Sequence, residues 1–432
     1  MVVSLASWGF LELVHGIQQG VYTDLPDQLG YDTAPTWWPL PWLALAGILT
    51  AFAIERLPGR GGHVPADGLK TGGSPTQPIE LPGVLLAALA TLGLGLVLGP
   101  EAPLIALGMG LGIIAMRGVR RDAPQQALTI MAAAGSFAAI STIFGSPVIG
   151  AVIIIEAAGL GGAMLPLVLL PGLIAAGIGS LLFIGLGDWT GLSTSAWALT
   201  PFNLAPFPGP DGSDFGWTIL LAVATAVVTF VIVELARLSM RIVARRPFAL
   251  TTVAAVAVGG LAIAFSQATD QSTNAVLFSG QDSFGTLFSA PALPLSTLGL
   301  LIVFKGLAWS LSLGSFRGGP TFPAIFLGVT AGILAGHLPG FAQSPAVAVL
   351  MGAAVVAVLR LPLSSVVIAL LLTAKAGIAV SPLVIVAVVI AYLTVEALDS
   401  RPFSVRLARL ARGAVPTAAG TGAPEAVSPP PA

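Results

Sequence analysis

Ten long apolar blocks recur along this chain of 432 residues, and they constrain its fold more than any single motif does. Their lengths are close to the roughly 20 residues that an α-helix needs to cross a hydrocarbon core. Charged residues make up only 9% of the chain, whereas a soluble domain is typically about 25% charged. The sequence therefore predicts an all-α polytopic membrane protein. The blocks cover residues 38–54, 81–99, 127–144, 163–186, 216–233, 249–265, 294–311, 322–336, 344–359 and 376–395.

Charge and residue usage exclude several classes of function. A formal net charge of −1 does not favour a nucleic-acid partner. The chain has no cysteine, which excludes disulfides, thiolate metal sites and cysteine catalysis. His15 and His337 lie in no motif that pairs a base with a nucleophile, as serine–histidine catalysis requires. We therefore predict a protein that is not an enzyme and has no cofactor and no bound metal.

The ends of the chain and its basic clusters suggest an orientation in the membrane. One interpretation of residues 1–35 is the remainder of a truncated first helix, and 413–432, rich in Pro, Ala and Gly, are predicted to be a disordered tail. Lys and Arg accumulate in cytoplasmic loops. We therefore place the arginine clusters at 117–121, 237–246 and 401–412 inside the cell. This orientation predicts a multi-pass protein of the cell (plasma) membrane with a cytoplasmic C-terminal tail.

One carboxylate, Glu101, interrupts an apolar stretch and has a proline on each side, at Pro100 and Pro103. Hydrocarbon cannot satisfy the backbone amides that such a break frees, so these breaks occur where the backbone lines an enclosed path. The amides and dipole of a helix N-terminus attract an anion. Glu101 could therefore occupy an anion site itself and act as a gate, leaving when it is protonated or displaced. The alternative is a structural Glu that caps a buried helix end.

Two pairs of segments suggest that the chain contains a duplicated unit. The segment "GPEAPLIALGMGLG" (99–112) resembles "GGPTFPAIFLGVTAG" (318–332), and "GSPVIGAVIIIEAAG" (145–159) resembles "RLPLSSVVIALLLTAKAG" (360–377). The pairs occur in the same order and at nearly the same offset. Two inverted halves with broken helices are a common transporter design. We place the first repeat at about 36–187 and the second at about 216–412, within a transmembrane domain of residues 1–412.

These segments resemble motifs of the CLC family of chloride channels and chloride/proton antiporters. "GPEAP" (99–103) is similar to the family's G-(K/R)-E-G-P motif, and "FRGGPTFPAIFLGVTAG" (316–332) is similar to its G-G-I-F-A-P segment. "GGHVP" (61–65) lies where G-S-G-I-P is expected, and three further blocks follow in order, including "SRPFSVRLARL" (400–410). The resemblance implies a fold of two inverted repeats with half-spanning helices. It also implies a homodimer in the lipid bilayer, with one path per subunit for small inorganic anions, most often chloride.

The resemblance assigns site residues, but several family groups are replaced here. Glu101 is the expected gate. Gly62 stands for the family's serine and Phe403 for its tyrosine, and both lack the hydroxyl. In the second half the amide donors would fall on Pro320 and Thr321, and proline cannot donate. His63, the amides of 61–64 or the Thr321 hydroxyl could compensate. The expected anion-binding residues are Gly61, Gly62, His63, Val64, Ala102, Thr321, Phe322 and Phe403.

Proton coupling is the second departure from the family pattern. Family antiporters use the second glutamate of an E-E pair, and here Glu156 is followed by Ala157. Glu156 could relay protons, but one residue turns about 100° around a helix and would face elsewhere. We therefore favour a channel-like or weakly proton-coupled anion pathway. The alternatives are a proton-coupled chloride antiporter and a cation-coupled organic-solute transporter.

Overall fold

The computed structural model describes residues 1–69, 74–159, 164–190, 199–288 and 292–400, without the side chains of 164 and 182–190. Phe403, the third arginine cluster and the tail at 413–432 therefore lie outside the described residues. The described part is helical and contains no strand, apart from one isolated antiparallel bridge between Gly99 and Gly319. The predicted all-α polytopic class is confirmed.

The described part of the chain contains sixteen α-helices. Six helical segments in that part are long and apolar enough to cross a membrane. The helices are α1 (Val2–Gln19), α2 (Leu25–Gln28), α3 (Pro39–Arg56), α4 (Leu81–Gly93), α5 (Glu101–Val119), α6 (Gln125–Ile143), α7 (Pro147–Ala157), α8 (Met164–Thr190), α9 (Gly212–Val243), α10 (Pro247–Thr269), α11 (Phe284–Leu287), α12 (Leu295–Ser315), α13 (Thr321–Ala335), α14 (Gln343–Leu359), α15 (Pro362–Leu372) and α16 (Ser381–Asp399).

Each of the two Gly–Pro breaks is a short non-helical segment between two helices. Helix α4 ends at Gly93, although the apolar block continues to residue 99. Gly95 has a φ of +107°, a conformation that a residue with a Cβ rarely adopts. The backbone then runs without helix to Glu101, where α5 begins. Helices α12 and α13 are broken in the same way at residues 316–320.

Small residues let α5 and α6 approach each other closely. A Cβ on Gly108 would lie 2.6 Å from the Gly135 carbonyl carbon, closer than side chains normally come to backbone. Gly112 faces the backbone of Met131 in the same way. Such contacts are typical of membrane helices, where close backbone packing replaces the hydrophobic effect as the source of association. This packing fixes the middle of α5, the helix that Glu101 begins, against α6.

Gly135→Ala is expected to lower the free energy of unfolding by about 1–3 kcal/mol, the usual cost of forcing an extra methyl group into a packed interior. The added Cβ would overlap the Gly108 backbone on α5. Thermal unfolding of the purified protein in detergent measures the effect. Gly118→Ala is the matched control, because nothing lies within 4 Å of the Cβ it adds on the same helix pair. Equal unfolding temperatures for the two variants would contradict the close contact.

Candidate functional site

Glu101 is the first residue of α5, and its side chain is completely buried. Its Oε1 accepts a hydrogen bond of 2.9 Å from the backbone N–H of Phe322. Phe322 is the second residue of α13, in the other half of the chain. The carboxylate of the first break is thus bound at the helix N-terminus of the second break, where free amides and the helix dipole favour negative charge.

The Glu101 carboxylate lies against two glycines, Gly99 and Gly319, that the sequence analysis did not single out. We call this place, formed by Gly99, Gly319 and the Phe322 N–H, the carboxylate seat. Gly99 donates to the Gly319 carbonyl at 2.7 Å, and Gly319 donates to the Gly99 carbonyl at 2.5 Å. A Cβ built on either glycine would meet the Glu101 side chain before any other group. Both positions must therefore be glycine for the carboxylate to lie here. The only sequence signal was the Gly–Pro pair that each break contains, at 99–100 and 319–320.

Two polar atoms where the Glu101 carboxylate lies make no hydrogen bond of regular geometry within the described part of the chain. The Thr321 hydroxyl lies beside the Glu101 carboxylate. Neither Thr321 Oγ1 nor Glu101 Oε2 makes a hydrogen bond of regular geometry with the described residues, although both are buried. An unsatisfied buried carboxylate oxygen is costly. Oε2 can therefore accept a proton, and the Thr321 hydroxyl can donate to an anion that replaces the carboxylate.

A cavity of about 310 Å³ opens next to the start of α5. Gly61, Gly62, His63 and Ala102, all expected from the sequence to bind the anion, line it together. Val64 follows in the same loop but is not among the lining residues. Four consecutive residues of this loop, Gly59 to Gly62, have a positive φ. The backbone therefore turns sharply here, and the loop lines the same cavity as the start of α5.

His63 does not contribute a free ring donor to this cavity. Its Nε2 lies 2.5 Å from the carbonyl oxygen of Gly68, five residues further along the same loop. This hydrogen bond connects residues 63 and 68 of the loop through the imidazole ring. Of the alternatives that the sequence left open, the backbone amides of the loop are therefore better available to an anion than the imidazole.

An aromatic pair covers the seat on the side of α6. The Phe322 ring stacks on Phe144 with ring centroids 5.3 Å apart, and both rings are buried. Phe144 directly follows the last residue of α6. The sequence analysis placed the second-half amide donors at Pro320 and Thr321. The structure shows the N–H of Phe322, which is also among the expected anion-binding residues, donating to the carboxylate, and Pro320 has no N–H to donate.

Glu156, the candidate proton relay, lies at the end of α7 and binds the first turn of α15. Its Oε1 accepts from the Leu363 N–H at 2.9 Å. Its Oε2 accepts from the Ser364 N–H at 2.7 Å and from the Ser364 hydroxyl at 2.6 Å. Each carboxylate oxygen is thus held by a helix N-terminus, in the arrangement of an N-terminal cap supplied from another helix.

Lys305 on α12 is completely buried and points into the protein. Its Nζ lies 4.5 Å from the ring centroid of Phe326 on α13, within the range of a cation–π contact. The ammonium is held by backbone carbonyls rather than by a carboxylate. These belong to Ala275 at 3.0 Å, Val276 at 3.1 Å, Leu277 at 2.9 Å and Phe278 at 3.3 Å.

The fold and the site define a membrane transport protein in which two broken helices meet at a buried carboxylate. The sequence model of the voltage gated chloride channel family matches residues 42–396. The chain belongs to this family. Its members transport anions, as channels or as chloride/proton antiporters, and are not enzymes.

Relatives and solved structures agree with this membership. The chain is 28% identical over 335 residues to YfeO of Escherichia coli O7:K1 (strain IAI39), for which ion transport is the proposed role; the match covers 76% of this chain and 75% of YfeO. The structure matches a slow cyanobacterial Cl⁻/H⁺ antiporter with a TM-score of 0.74, 20% identity and 96% coverage of both chains. It also matches a CLC-type fluoride/proton antiporter with a TM-score of 0.68 and 15% identity, over 92% of this chain and 93% of that one. At these identities the structural matches show the CLC fold.

Proposed function

We propose that the chain conducts small monovalent anions, chloride among them, along a path gated by Glu101. The observation that carries the proposal is the seat of its carboxylate on the Phe322 N–H at the start of α13. A helix N-terminus that binds a carboxylate can bind a permeant anion in its place. When a proton neutralises the carboxylate, or an anion displaces it, the seat becomes free and the path opens. Thr321, Ala102 and the 61–64 loop are the proposed anion contacts on either side.

Coupling to protons is proposed to be weak. A proton relay needs a carboxylate that exchanges protons readily, and both oxygens of Glu156 accept hydrogen bonds from the start of α15. Ala157 follows it, so the position of the second family glutamate cannot titrate. The cyanobacterial relative is described as an antiporter, and a proton-coupled antiporter is therefore the alternative to test. The organic-solute alternative has no support from the family.

Further parts of the proposal concern assembly and placement. We propose a homodimer in the cell membrane with one path in each subunit, and a C-terminal tail at 413–432 on the cytoplasmic side. The two repeats are proposed to occupy about 36–187 and 216–412, each containing one broken-helix segment. The basic residues between α5 and α6 and between α9 and α10 support this orientation, since positively charged loops favour the cytoplasm.

Anion efflux from liposomes, recorded together with external pH, tests the proposed function. Liposomes containing the purified native chain are loaded with chloride, and a chloride electrode and a pH electrode record the external solution. Chloride efflux without stoichiometric proton movement supports the proposal. Proton movement driven against its gradient by chloride would establish an exchanger, and no anion flux would overturn the function itself.

Glu156→Gln is expected to lower the free energy of unfolding by about 1–2 kcal/mol, the scale of losing a helix N-terminal cap. Glutamine is uncharged, so it loses the favourable interaction with the dipole of α15. Anion flux is expected to stay within about two-fold of the native value, a difference of less than 1 kcal/mol. Thermal unfolding and liposome efflux measure the two effects, with Glu55→Gln on the exposed end of α3 as the control. A native proton flux that disappears in Glu156→Gln would instead make Glu156 a relay.

A further inference from the structure

Arg317 is a buried basic residue that the gate mechanism does not use. Its side chain lines the cavity beside the 59–63 loop and is only 8% exposed. Nε donates to the Arg60 carbonyl at 3.3 Å and Nη1 to the Phe316 carbonyl at 3.1 Å. A guanidinium has five N–H groups, so three remain after these bonds. Within the described residues it forms no ion pair.

The acidic groups near Arg317 do not neutralise it directly. Asp67 attracts its charge from a distance but makes no ion pair with it in the described part of the chain. Glu80 also lines the cavity, and its Oε2 accepts the Gln77 N–H at 2.7 Å, at the turn that leads into α4. A buried guanidinium without a direct counter-charge is costly unless an anion reaches it. The cavity provides the space for one.

Backbone donors lie in the loop on the other side of this cavity. The N–H groups of His63 and Val64 make no hydrogen bond with any described residue. Consecutive amides in a tight turn with positive φ can form an anion-binding concavity. Arg317 is also two residues from Gly319, on which the Glu101 carboxylate lies. An anion held at Arg317 would therefore lie close to the Glu101 gate.

We propose that Arg317 forms an anion site in this cavity that favours planar monovalent oxyanions, such as nitrate, over spherical halides. The proposal rests on the proposed anion pathway and specifies its substrate class. The planar guanidinium presents paired N–H groups that match two oxygens of an oxyanion at once. A halide has a single centre and cannot use that paired geometry. Lysine would retain the positive charge but not the planar fork.

Nitrate and chloride are the two probes that test this site. Calorimetric titration of the purified native protein with each anion gives their affinities, and efflux from liposomes loaded with each anion gives their flux ratio. The native chain is expected to bind nitrate more tightly than chloride. Arg317→Lys is expected to reduce the nitrate-to-chloride ratio about five- to ten-fold, the effect of losing one charge-assisted paired contact. Arg317→Gln is expected to weaken both anions about ten-fold or more, because the charge is lost as well.

Arg56→Gln is the matched control, since it removes a positive charge from an exposed position on α3, just before the loop. It should leave both affinities and the ratio unchanged. A native chain that binds chloride at least as tightly as nitrate would overturn the proposal without any variant. An unchanged ratio in Arg317→Lys would also overturn it, even if Arg317→Gln failed to fold. No flux of either anion through the native chain would instead refute the proposed function, while the calorimetric comparison would still test the site.

Discussion

Glu101→Gln is expected to raise anion flux at neutral pH by at least about ten-fold, equivalent to 1.4 kcal/mol, and to abolish its dependence on external pH. Glutamine has the size of glutamate, and its carbonyl oxygen can still accept the Phe322 N–H. It carries no charge, however, and therefore does not repel an anion that approaches the seat. Two like charges about 4 Å apart repel each other by about 4 kcal/mol at an effective dielectric constant near 20. Removing this repulsion can therefore raise the anion flux by more than about ten-fold.

The pH dependence follows from the same charge. Acidification protonates the native carboxylate and opens the path, so flux through the native chain is expected to rise as external pH falls. Glu101→Gln should show the high flux at every pH, because its side chain has no proton to gain. Glu101→Asp is the control, since it keeps a carboxylate and should keep a pH response. Efflux from liposomes across a series of external pH values measures all three. A Glu101→Gln protein with native flux and a native pH response would exclude Glu101 as the gate.

Gly319→Ala is expected to lower the free energy of unfolding by about 3 kcal/mol, the upper part of the range for overpacking a filled interior. The Cβ it adds would overlap the Glu101 carboxylate, and the three nearest atoms all belong to that side chain. The variant must therefore expel Glu101 from its seat or distort the Gly99–Gly319 bridge. If Glu101 is expelled, anion flux should also rise at neutral pH.

A double-mutant cycle separates these effects. In a Glu101→Ala background the carboxylate is gone, so Gly319→Ala is expected to cost about 1 kcal/mol or less, and the difference is the coupling between the two sites. Thermal unfolding in detergent gives all four stabilities. Gly299→Ala on α12 is the control for the substitution itself, because nothing lies within 4 Å of its added Cβ. An equal cost of Gly319→Ala in both backgrounds would show that the bridge geometry, and not the carboxylate, requires glycine.

Local sequence predicted most of the helical architecture. Each of the ten apolar blocks overlaps an α-helix of the structure over most of its length. Glu101 was expected at a helix N-terminus, and α5 begins there. Pro147 and Pro362, which marked the second pair of repeated segments, are the first residues of α7 and α15. These features depend on hydrophobic length and on proline, which cannot continue a preceding helix, and both can be recognised within a few residues of sequence.

Contacts between the two halves could not be predicted in the same way. Glu101 and Phe322 are separated by 221 positions, and Glu156 and Ser364 by 208. No local pattern indicates that one glutamate would bind the amide of Phe322 or that the other would cap α15. From the sequence alone, Lys305 could lie either inside the protein or at the membrane interface. The structure selects the interior, because a cage of carbonyls from 275–278 satisfies the ammonium there.

The sequence by itself determined the class of this protein, a helical membrane protein with broken segments and a carboxylate at one break, because hydropathy and backbone chemistry act locally. Only the tertiary structure decided what that carboxylate binds, which glycines make room for it and that Arg317 lines the adjoining cavity. The physical reason is that each of these features joins backbone or side chains from both halves of the chain. Their relative positions are fixed by helix packing, which depends on the whole chain and not on any one segment.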